Sequence, residues 1–131
     1  MLEQIFLNDE KNLAKYVGYS IERVAQYLYI DTKIIYLSDL QVETSLKAQE
    51  RVIDFCKRIN SNHYINAIGR QVLYNKEDFF KEGMKLNFLK TGDMEYKQFS
   101  NEFIPNLSIV DVMMFNSKEE IKEMLNRYEL I

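Results

Sequence analysis

The sequence predicts an α/β fold: a small parallel three-stranded sheet with helices on its faces, plus a buried pair of helices towards the carboxyl end. Short β-branched or alternating runs at 33–37, 63–66 and 84–89 are typical of strands, and helical patterns lie between them. Helices of crossover length between consecutive strands indicate parallel βαβ units. We expect residues 1–131 to form a single domain, since a chain of 131 residues suffices for one core.

Hydrophobic periodicity and capping residues mark the first helices. Apolar residues at positions 21, 24, 25 and 28 share one helical face, and those at 48, 52, 55, 56 and 59 share another. Gly18 is expected to end the helix that precedes the first of these, and Ser20 to begin the next. Asn75 is expected to cap a brief helix that Gly83 ends.

The stretch 103–116 contains the densest apolar run and the only proline, Pro105. Ser108 and Asp111 have the spacing of a capping box, so a helix is expected to begin there. From position 109 to position 115 only Asp111 is polar, which predicts a helix that is buried on nearly all sides.

A last helix completes the predicted pair. Ser117 and Glu120 form a second capping-box pattern. Apolar residues at positions 121, 124, 125 and 128 then give an amphipathic stripe. We therefore expect the chain to be helical as far as Tyr128.

Charge and composition exclude several classes of protein. The net charge is −3 without a basic block, so no nucleic-acid surface is expected. One cysteine and one histidine exclude a disulfide framework; we expect no metal, and no cofactor is identified. No apolar run approaches the roughly 20 residues that span a bilayer. The first residues lack a signal-peptide pattern, which predicts a cytoplasmic protein.

Polar residues follow each predicted strand. In open parallel sheets, ligands bind beyond the carboxyl ends of the strands, where loops meet helix N-termini. Asp39 at the first of these ends is a candidate base. The residues selected by this rule are Ser38 and Asp39, the segment 66–74, and Lys90 with Thr91.

The segment 64–74 is the richest in binding chemistry. Asn66 presents an amide donor and an amide acceptor, Gly69 allows close backbone approach, and Arg70 is an anion partner. The structural alternative is a connecting loop in which Asn66 pairs with its own backbone and Arg70 is solvated.

Three further features each allow a functional and a structural interpretation. Asp111 is either a general base or the capping partner of Ser108. Arg51 either holds an anion or pairs with carboxylates on its own helix. Residues 96–98, which include Gln98, are either a mobile flap that lines a pocket or an ordinary connection.

Three segments carry a family resemblance. They are Gln-Glu-Arg-Val-Ile-Asp-Phe-Cys at 49–56, Tyr-Ile-Asn-Ala-Ile-Gly-Arg-Gln-Val-Leu-Tyr at 64–74, and Phe-Ile-Pro-Asn-Leu-Ser-Ile-Val-Asp-Val-Met-Met-Phe-Asn at 103–116. Together they resemble the carboxyl-terminal half of the WbqC-like family of bacterial proteins. Two positions depart from the family pattern: Ala67 stands where proline is expected, and Arg70 where a second glycine is usual.

The resemblance implies a role in bacterial surface-polysaccharide (O-antigen) biosynthesis, with glycine or another aminoacyl group transferred to a sugar as the proposed reaction. Family members typically carry an additional amino-terminal half, so the chain is expected to be a natural short form or a fragment. The polar or special positions of the family pattern correspond here to Tyr64, Asn66, Gly69, Gln98, Asn106, Ser108, Asp111 and Asn116.

Two hypotheses follow. In the first, the chain is part of a transferase-like enzyme that holds a nucleotide-sugar or an activated acyl donor, with Arg70 or Arg51 on phosphate and Asp39 or Asp111 as base. In the second, it is a non-catalytic module that binds a small molecule or a partner protein, as a homodimer or against an amino-terminal half. The expected ligand-binding residues are Ser38, Arg51, Tyr64, Asn66, Gly69, Arg70, Gln71, Tyr74, Gln98 and Asn106.

Overall fold

The computed structural model describes residues 1–40, 45–46, 48–99 and 102–131. The chain divides into two compact units, residues 1–40 and residues 41–131. The described elements of the first unit are α1 (Leu2–Phe6), α2 (Leu13–Tyr27) and a 3₁₀ turn (Leu37–Asp39). Helix α2 begins after Asn12, whose side-chain oxygen accepts a hydrogen bond from the backbone N–H of Lys15 at 3.2 Å.

The prediction that Gly18 ends a helix is wrong. Gly18 lies inside α2 and is buried, and Ser20 follows within the same helix. A Cβ atom at Gly18 would lie 2.1 Å from the hydroxyl oxygen of Tyr36. The close approach of that ring, and not the end of a helix, therefore requires a residue without a side chain here.

The prediction of a strand at 33–37 is also wrong. Residues 31–36 have no regular secondary structure, and Leu37 begins the 3₁₀ turn. β-branched residues favour extended backbone, but a strand persists only where a neighbouring strand completes its hydrogen bonds. The described part of the first unit contains no strand that could pair with this segment.

The second unit contains the sheet. Its described strands are ordered β1-β2-β3. β1 and β2 are parallel, with Tyr64 opposite Leu86, whereas β3 runs antiparallel to β2, with Leu130 opposite Leu89. In chain order the elements are α3 (Ala48–Arg58), β1 (His63–Ala67), a 3₁₀ helix (Ile68–Leu73), α4 (Lys76–Lys81), β2 (Lys85–Thr91), α5 (Ile109–Phe115), α6 (Lys118–Met124) and β3 (Tyr128–Leu130).

The sheet is therefore mixed, and the predicted parallel arrangement is confirmed only for β1 and β2. The prediction that the last helix reaches Tyr128 is wrong, because α6 ends at Met124 and the chain turns back as β3. Phe88 and Ile131 exchange two backbone hydrogen bonds, each 2.9 Å long. These bonds satisfy backbone donors and acceptors on the side of β2 that does not pair with β1. The chain after α6 is therefore more favourable as a strand than as a continuation of the helix.

The core of the second unit is built around β2 and α4. Tyr64 stacks on Phe79 with ring centroids 5.7 Å apart. Asn75 caps α4 as predicted, by accepting a hydrogen bond from the backbone N–H of Glu77, and Gly83 follows with a φ of 73°. The buried residues of this core are Cys56, Phe79, Met84, Leu86 and Phe88.

The predicted helix pair is present as α5 and α6, but the prediction that α5 is buried is wrong. No side chain of α5 is fully buried, and Met114 is 69% exposed. One face of α5 packs through Phe115 against the rings of Tyr96 and Phe99. Of the seven residues of α5, Ile109 and Met114 are exposed and the other five are half-buried.

The two capping boxes have different outcomes. Ser108 caps α5 by accepting a hydrogen bond from the N–H of Val110 at 3.2 Å, without the reciprocal bond expected from Asp111. Ser117 and Glu120 form the complete box at the start of α6. The difference arises because the Asp111 carboxylate is hydrogen-bonded elsewhere.

Candidate functional site

A cleft of about 830 Å³ lies at the carboxyl end of β2. Its walls come from the chain that follows β2, from the chain that leads into α5, and from the last turns before β3. Apolar side chains such as Phe103, Leu107 and Met124 form part of the lining. The polar lining residues are Thr91, Asp93, Glu95, Tyr96, Asn106 and Arg127.

A backbone hydrogen bond from Gly92 joins two walls of this cleft. Its N–H donates a hydrogen bond to the carbonyl oxygen of Arg127 at 2.8 Å. A Cβ atom at Gly92 would lie 3.2 Å from the same oxygen, so a larger residue would press on the Arg127 backbone. The Arg127 backbone is thereby placed next to the end of β2, and the residue is exposed.

Three polar residues that the sequence analysis named as candidates form one hydrogen-bonded group. We call this group the Asp111 cluster; it consists of Tyr96, Gln98 and Asp111. The Tyr96 hydroxyl donates to Oδ2 of Asp111 at 2.6 Å. The Gln98 side-chain amide donates to the same oxygen at 3.1 Å. Tyr96 also lines the cleft, so this hydrogen bond links a lining residue to the Asp111 carboxylate.

Gln98 fixes the chain on the opposite wall. Its side-chain oxygen accepts from the N–H of Ile104 at 2.9 Å, and its amide N–H donates to the Ile104 carbonyl at 3.1 Å. This pair of bonds reproduces the pairing of two strands and orders the residues before α5. Asn106 lies in the same wall with a φ of 59°, a left-handed conformation that asparagine tolerates.

Burial raises the pKa of Tyr96, and the hydrogen bond to the Asp111 carboxylate raises it further. The Tyr96 ring packs edge to face against the Phe103 ring, with the two ring centroids 5.2 Å apart. Tyr96 therefore stays protonated near neutral pH and offers a fixed hydroxyl at the cleft wall.

No residue of the 64–74 segment is among the lining residues of the cleft described above. Asn66 uses its side-chain oxygen to accept a hydrogen bond from the N–H of Ala67 at 2.8 Å, which is the structural alternative considered above. Gly69, Arg70 and Gln71 lie on the exposed 3₁₀ helix after β1. A Cβ atom at Gly69 would meet no atom within 4 Å, so nothing in the chain itself requires glycine there.

Tyr64 and Tyr74 belong to the core of the second unit. Their ring centroids are 5.9 Å apart, and each ring also contacts Phe79. Burial and then the hydrogen bond with Tyr74 raise the pKa of Tyr64 to about 12. Both side chains thus contribute to packing, which is sufficient to explain them.

The remaining predicted site residues do not belong to the Asp111 cluster. Arg51 is exposed on α3. Ser38 and Asp39 lie in the 3₁₀ turn of the first unit, where the Ser38 hydroxyl donates to Oδ1 of Asp39 at 3.4 Å. They line a separate cleft formed by residues 4–39.

Comparison with family models identifies the chain. The model of the WbqC-like protein family matches residues 1–123. The chain belongs to the WbqC-like protein family. Comparison with curated proteins and with solved structures gave no significant match.

In this WbqC-like chain, the cleft joins Thr91, Tyr96 and Asn106, which the sequence analysis selected, with charged residues that it did not select. Arg127, Asp93 and Glu95 carry its charges, yet they stand in polar segments without a motif. The strand-end rule had selected Lys90 and Thr91, and Thr91 lines the cleft, so this rule and Gly92, directly after the strand, are the local signals for this place. The contact between Gly92 and Arg127 links distant parts of the chain, so no spacing predicts it.

Over the described ranges, no group of three or more histidine, cysteine, aspartate or glutamate side chains is placed to hold a metal ion. No helix in the part of the chain that the structure describes has both the length and the apolar character needed to cross a membrane.

Proposed function

We propose that this WbqC-like chain takes part in bacterial surface-polysaccharide biosynthesis in the cytoplasm, as a transferase-like protein that holds an activated donor in the cleft at the carboxyl end of β2. The family resemblance suggests the pathway and a transfer of an aminoacyl group to a sugar. The single observation that carries the proposal is the hydrogen bond of 2.6 Å between the Tyr96 hydroxyl, at the cleft wall, and the Asp111 carboxylate.

The Tyr96–Asp111 pair supplies a route for a proton. An acceptor hydroxyl or amine that donates to the Tyr96 oxygen passes its proton to that oxygen while Tyr96 passes its own proton to Asp111. The acceptor atom attacks the donor carbon, the new bond forms as the bond to the leaving group breaks, and the leaving group keeps the electron pair. The raised pKa of Tyr96 favours this concerted exchange over a free tyrosinate.

The other charges of the cleft suit a donor that carries phosphate. Arg127 offers a guanidinium group, which binds phosphate through two parallel hydrogen bonds. Asp93 and Glu95 offer acceptors for ribose or sugar hydroxyls. This assignment moves the anion partner from Arg70 and Arg51 to Arg127.

A thermal-shift screen with nucleotides, nucleotide-sugars and activated acyl donors tests the binding part. A ligand at about 100 times its Kd stabilises the native state by about 2.7 kcal/mol, which raises Tm by several degrees. Arg127→Ala should abolish the shift, and Arg70→Ala, a matched change at an exposed arginine, should retain it. If Arg70→Ala or Asn66→Ala removes the shift while Arg127→Ala keeps it, the site is the 64–74 segment; no shift with any compound contradicts donor binding.

Turnover with the compound found in the screen tests the role of Asp111. Asp111→Asn keeps an oxygen that accepts from Tyr96, so donor binding should be retained while the transfer rate falls by about 10²–10⁴-fold. Asp9→Asn, the same change at an exposed position of the first unit, serves as the control. A transfer rate that Asp111→Asn leaves unchanged would make Asp111 purely structural.

A second candidate function is favoured by exposed apolar side chains in the second unit. Val72 is 93% exposed and Phe80 is 81% exposed. Large apolar groups of this kind mark association surfaces when they cluster. The corresponding function is a non-catalytic binding module that pairs with a second copy of the chain.

A further inference from the structure

A second cleft, of about 710 Å³, lies wholly within residues 1–40. Helix α2, the residues before it and the 3₁₀ turn at Leu37–Asp39 form its walls. The function proposed above does not use this cleft. Its principal lining side chains are Asn8, Asn12, Tyr19, Glu22, Tyr36 and Asp39.

The loop before α2 is ordered by its own side chains. Asn8 accepts from the N–H of Glu10 at 3.1 Å, Glu10 accepts from the N–H of Asn12 at 2.8 Å, and Asn12 accepts from the N–H of Lys15 at 3.2 Å. Each bond uses one side-chain oxygen and leaves the amide NH₂ groups of Asn8 and Asn12 as donors. These hydrogen bonds order the backbone of the loop, and the NH₂ groups of Asn8 and Asn12 remain as donors for a ligand.

The two tyrosines of this cleft, Tyr19 and Tyr36, are each ordered by a contact with a residue of α2. Tyr36 packs over Gly18, where a Cβ atom would lie 2.1 Å from its hydroxyl oxygen. Glycine is less favourable than alanine inside a helix, so this close contact is made at the expense of helix stability. The Arg23 guanidinium lies 5.2 Å from the Tyr19 ring centroid and orders that ring.

The lining thus combines amide donors, carboxylate acceptors and two tyrosine rings. The charged residues of its lining are Glu10, Glu22 and Asp39 against Lys15, and the Arg23 guanidinium lies beside the lining residue Tyr19. The carboxylates outnumber the cations, which favours a neutral or cationic ligand over an anion. The Arg127 cleft also carries two carboxylates, but its lining includes a guanidinium group, which suits phosphate.

We infer that the cleft within residues 1–40 binds a saccharide that is uncharged or carries an amino group. Sugar hydroxyls donate and accept at once, so they match a wall in which carboxylates alternate with amides. The C–H face of a pyranose ring packs on an aromatic side chain, and Tyr19 and Tyr36 provide such surfaces. An amino group on the sugar would gain from the carboxylates. The inference uses only residues 4–39 and stands independently of the donor site proposed above.

Ligand-observed NMR on the full chain tests this inference with glucose, N-acetylglucosamine, glucosamine and glucose 1-phosphate at millimolar concentration. The first three sugars should receive saturation from the protein, with glucosamine the strongest. Glu22→Gln and Asp39→Asn should each weaken binding about tenfold, since each removes a charge-assisted hydrogen bond. Asp31→Asn, a matched charge change at an exposed position of the same unit, should leave it unchanged.

Two further results would overturn the inference. One is the absence of binding by every uncharged and amino sugar to the wild-type chain. The other is binding that survives both Glu22→Gln and Asp39→Asn but is lost in Arg127→Ala, which would assign the sugar to the cleft of the second unit. The Arg127→Ala variant also separates the two proposals, because it should lose the activated donor and keep the saccharide.

Discussion

The Tyr64 hydroxyl lies in the aromatic core of the second unit, beside Tyr74 and Phe79. Burial, then the hydrogen bond with Tyr74, and then the nearby Cys56 thiol raise its pKa to about 12. The phenol is thus kept neutral by its surroundings, and its role is packing. Among the nine tyrosines of the chain, its ionisation should be distinguishable by pH.

The first prediction concerns this titration. Tyrosinate absorbance should show a late step near pH 12, and Tyr64→Phe should remove it, whereas Tyr128→Phe should not. The folded pKa lies above the ordinary value of 10, so the neutral phenol contributes stability below pH 10 and loses that contribution as pH rises through about 12. Persistence of the late step in Tyr64→Phe would contradict the assignment.

Asp111 illustrates how one residue can be mistaken for a cap. Its spacing from Ser108 matches a capping box, but the carboxylate accepts from Tyr96 and Gln98 instead. The hydrogen bonding of the one histidine is also satisfied within the sheet, because Nε2 of His63 lies 2.9 Å from Oδ1 of the buried Asn87.

At the level of elements, α6 shows how a local motif anchors a helix. The Ser117 side-chain oxygen accepts from the N–H of Glu120 at 3.3 Å, and the Glu120 carboxylate accepts from the N–H of Ser117 at 2.7 Å. Hydrogen bonds from the hydroxyl and then from the backbone of Ser117 hold the pKa of Glu120 below its ordinary value of 4.5. Ile121, in the next turn, is buried.

The second prediction concerns this capping box. The pKa of Glu120 is lower in the folded chain, so its contribution is present above the ordinary value and is lost as pH falls through the lowered pKa. Wild type should be more stable than Glu120→Gln at neutral pH, and the difference should vanish in acid, as measured by urea unfolding at several pH values. Ser117→Ala should cost about 1 kcal/mol.

The control for the capping box is Glu123→Gln, the same change at an exposed position of α6. Its stability should follow that of the wild type across the pH range. A stability difference between wild type and Glu120→Gln that stays constant down to acid pH would contradict a role for the Glu120 charge.

At the level of the whole molecule, the third prediction is that the second unit pairs through its exposed apolar side chains. Sedimentation should give a dimer for the wild type and a monomer for the double variant Val72→Ser, Phe80→Ser, with unchanged circular dichroism. The reason is that burying these side chains at an interface removes their apolar surface from water. Phe6→Ser, at an exposed position of the first unit, should remain a dimer. A wild-type chain that stays monomeric at high concentration contradicts this candidate.

Features that depend on neighbouring residues were predictable. Asn75, Ser117 with Glu120, and the strands at His63–Ala67 and Lys85–Thr91 were all readable from local patterns. Capping and hydrophobic periodicity arise from residues within one or two turns of each other, so the physical cause lies in the local sequence.

The sequence by itself determined the α/β class, the parallel pair β1 and β2, and membership of the WbqC-like family. Only the tertiary structure decided that 33–37 is not a strand, that β3 closes the sheet antiparallel, and that Asp111 bonds to Tyr96. Each of these depends on which distant group satisfies a backbone or side-chain hydrogen bond. Such partners are selected when the chain packs, and no periodicity or spacing encodes them.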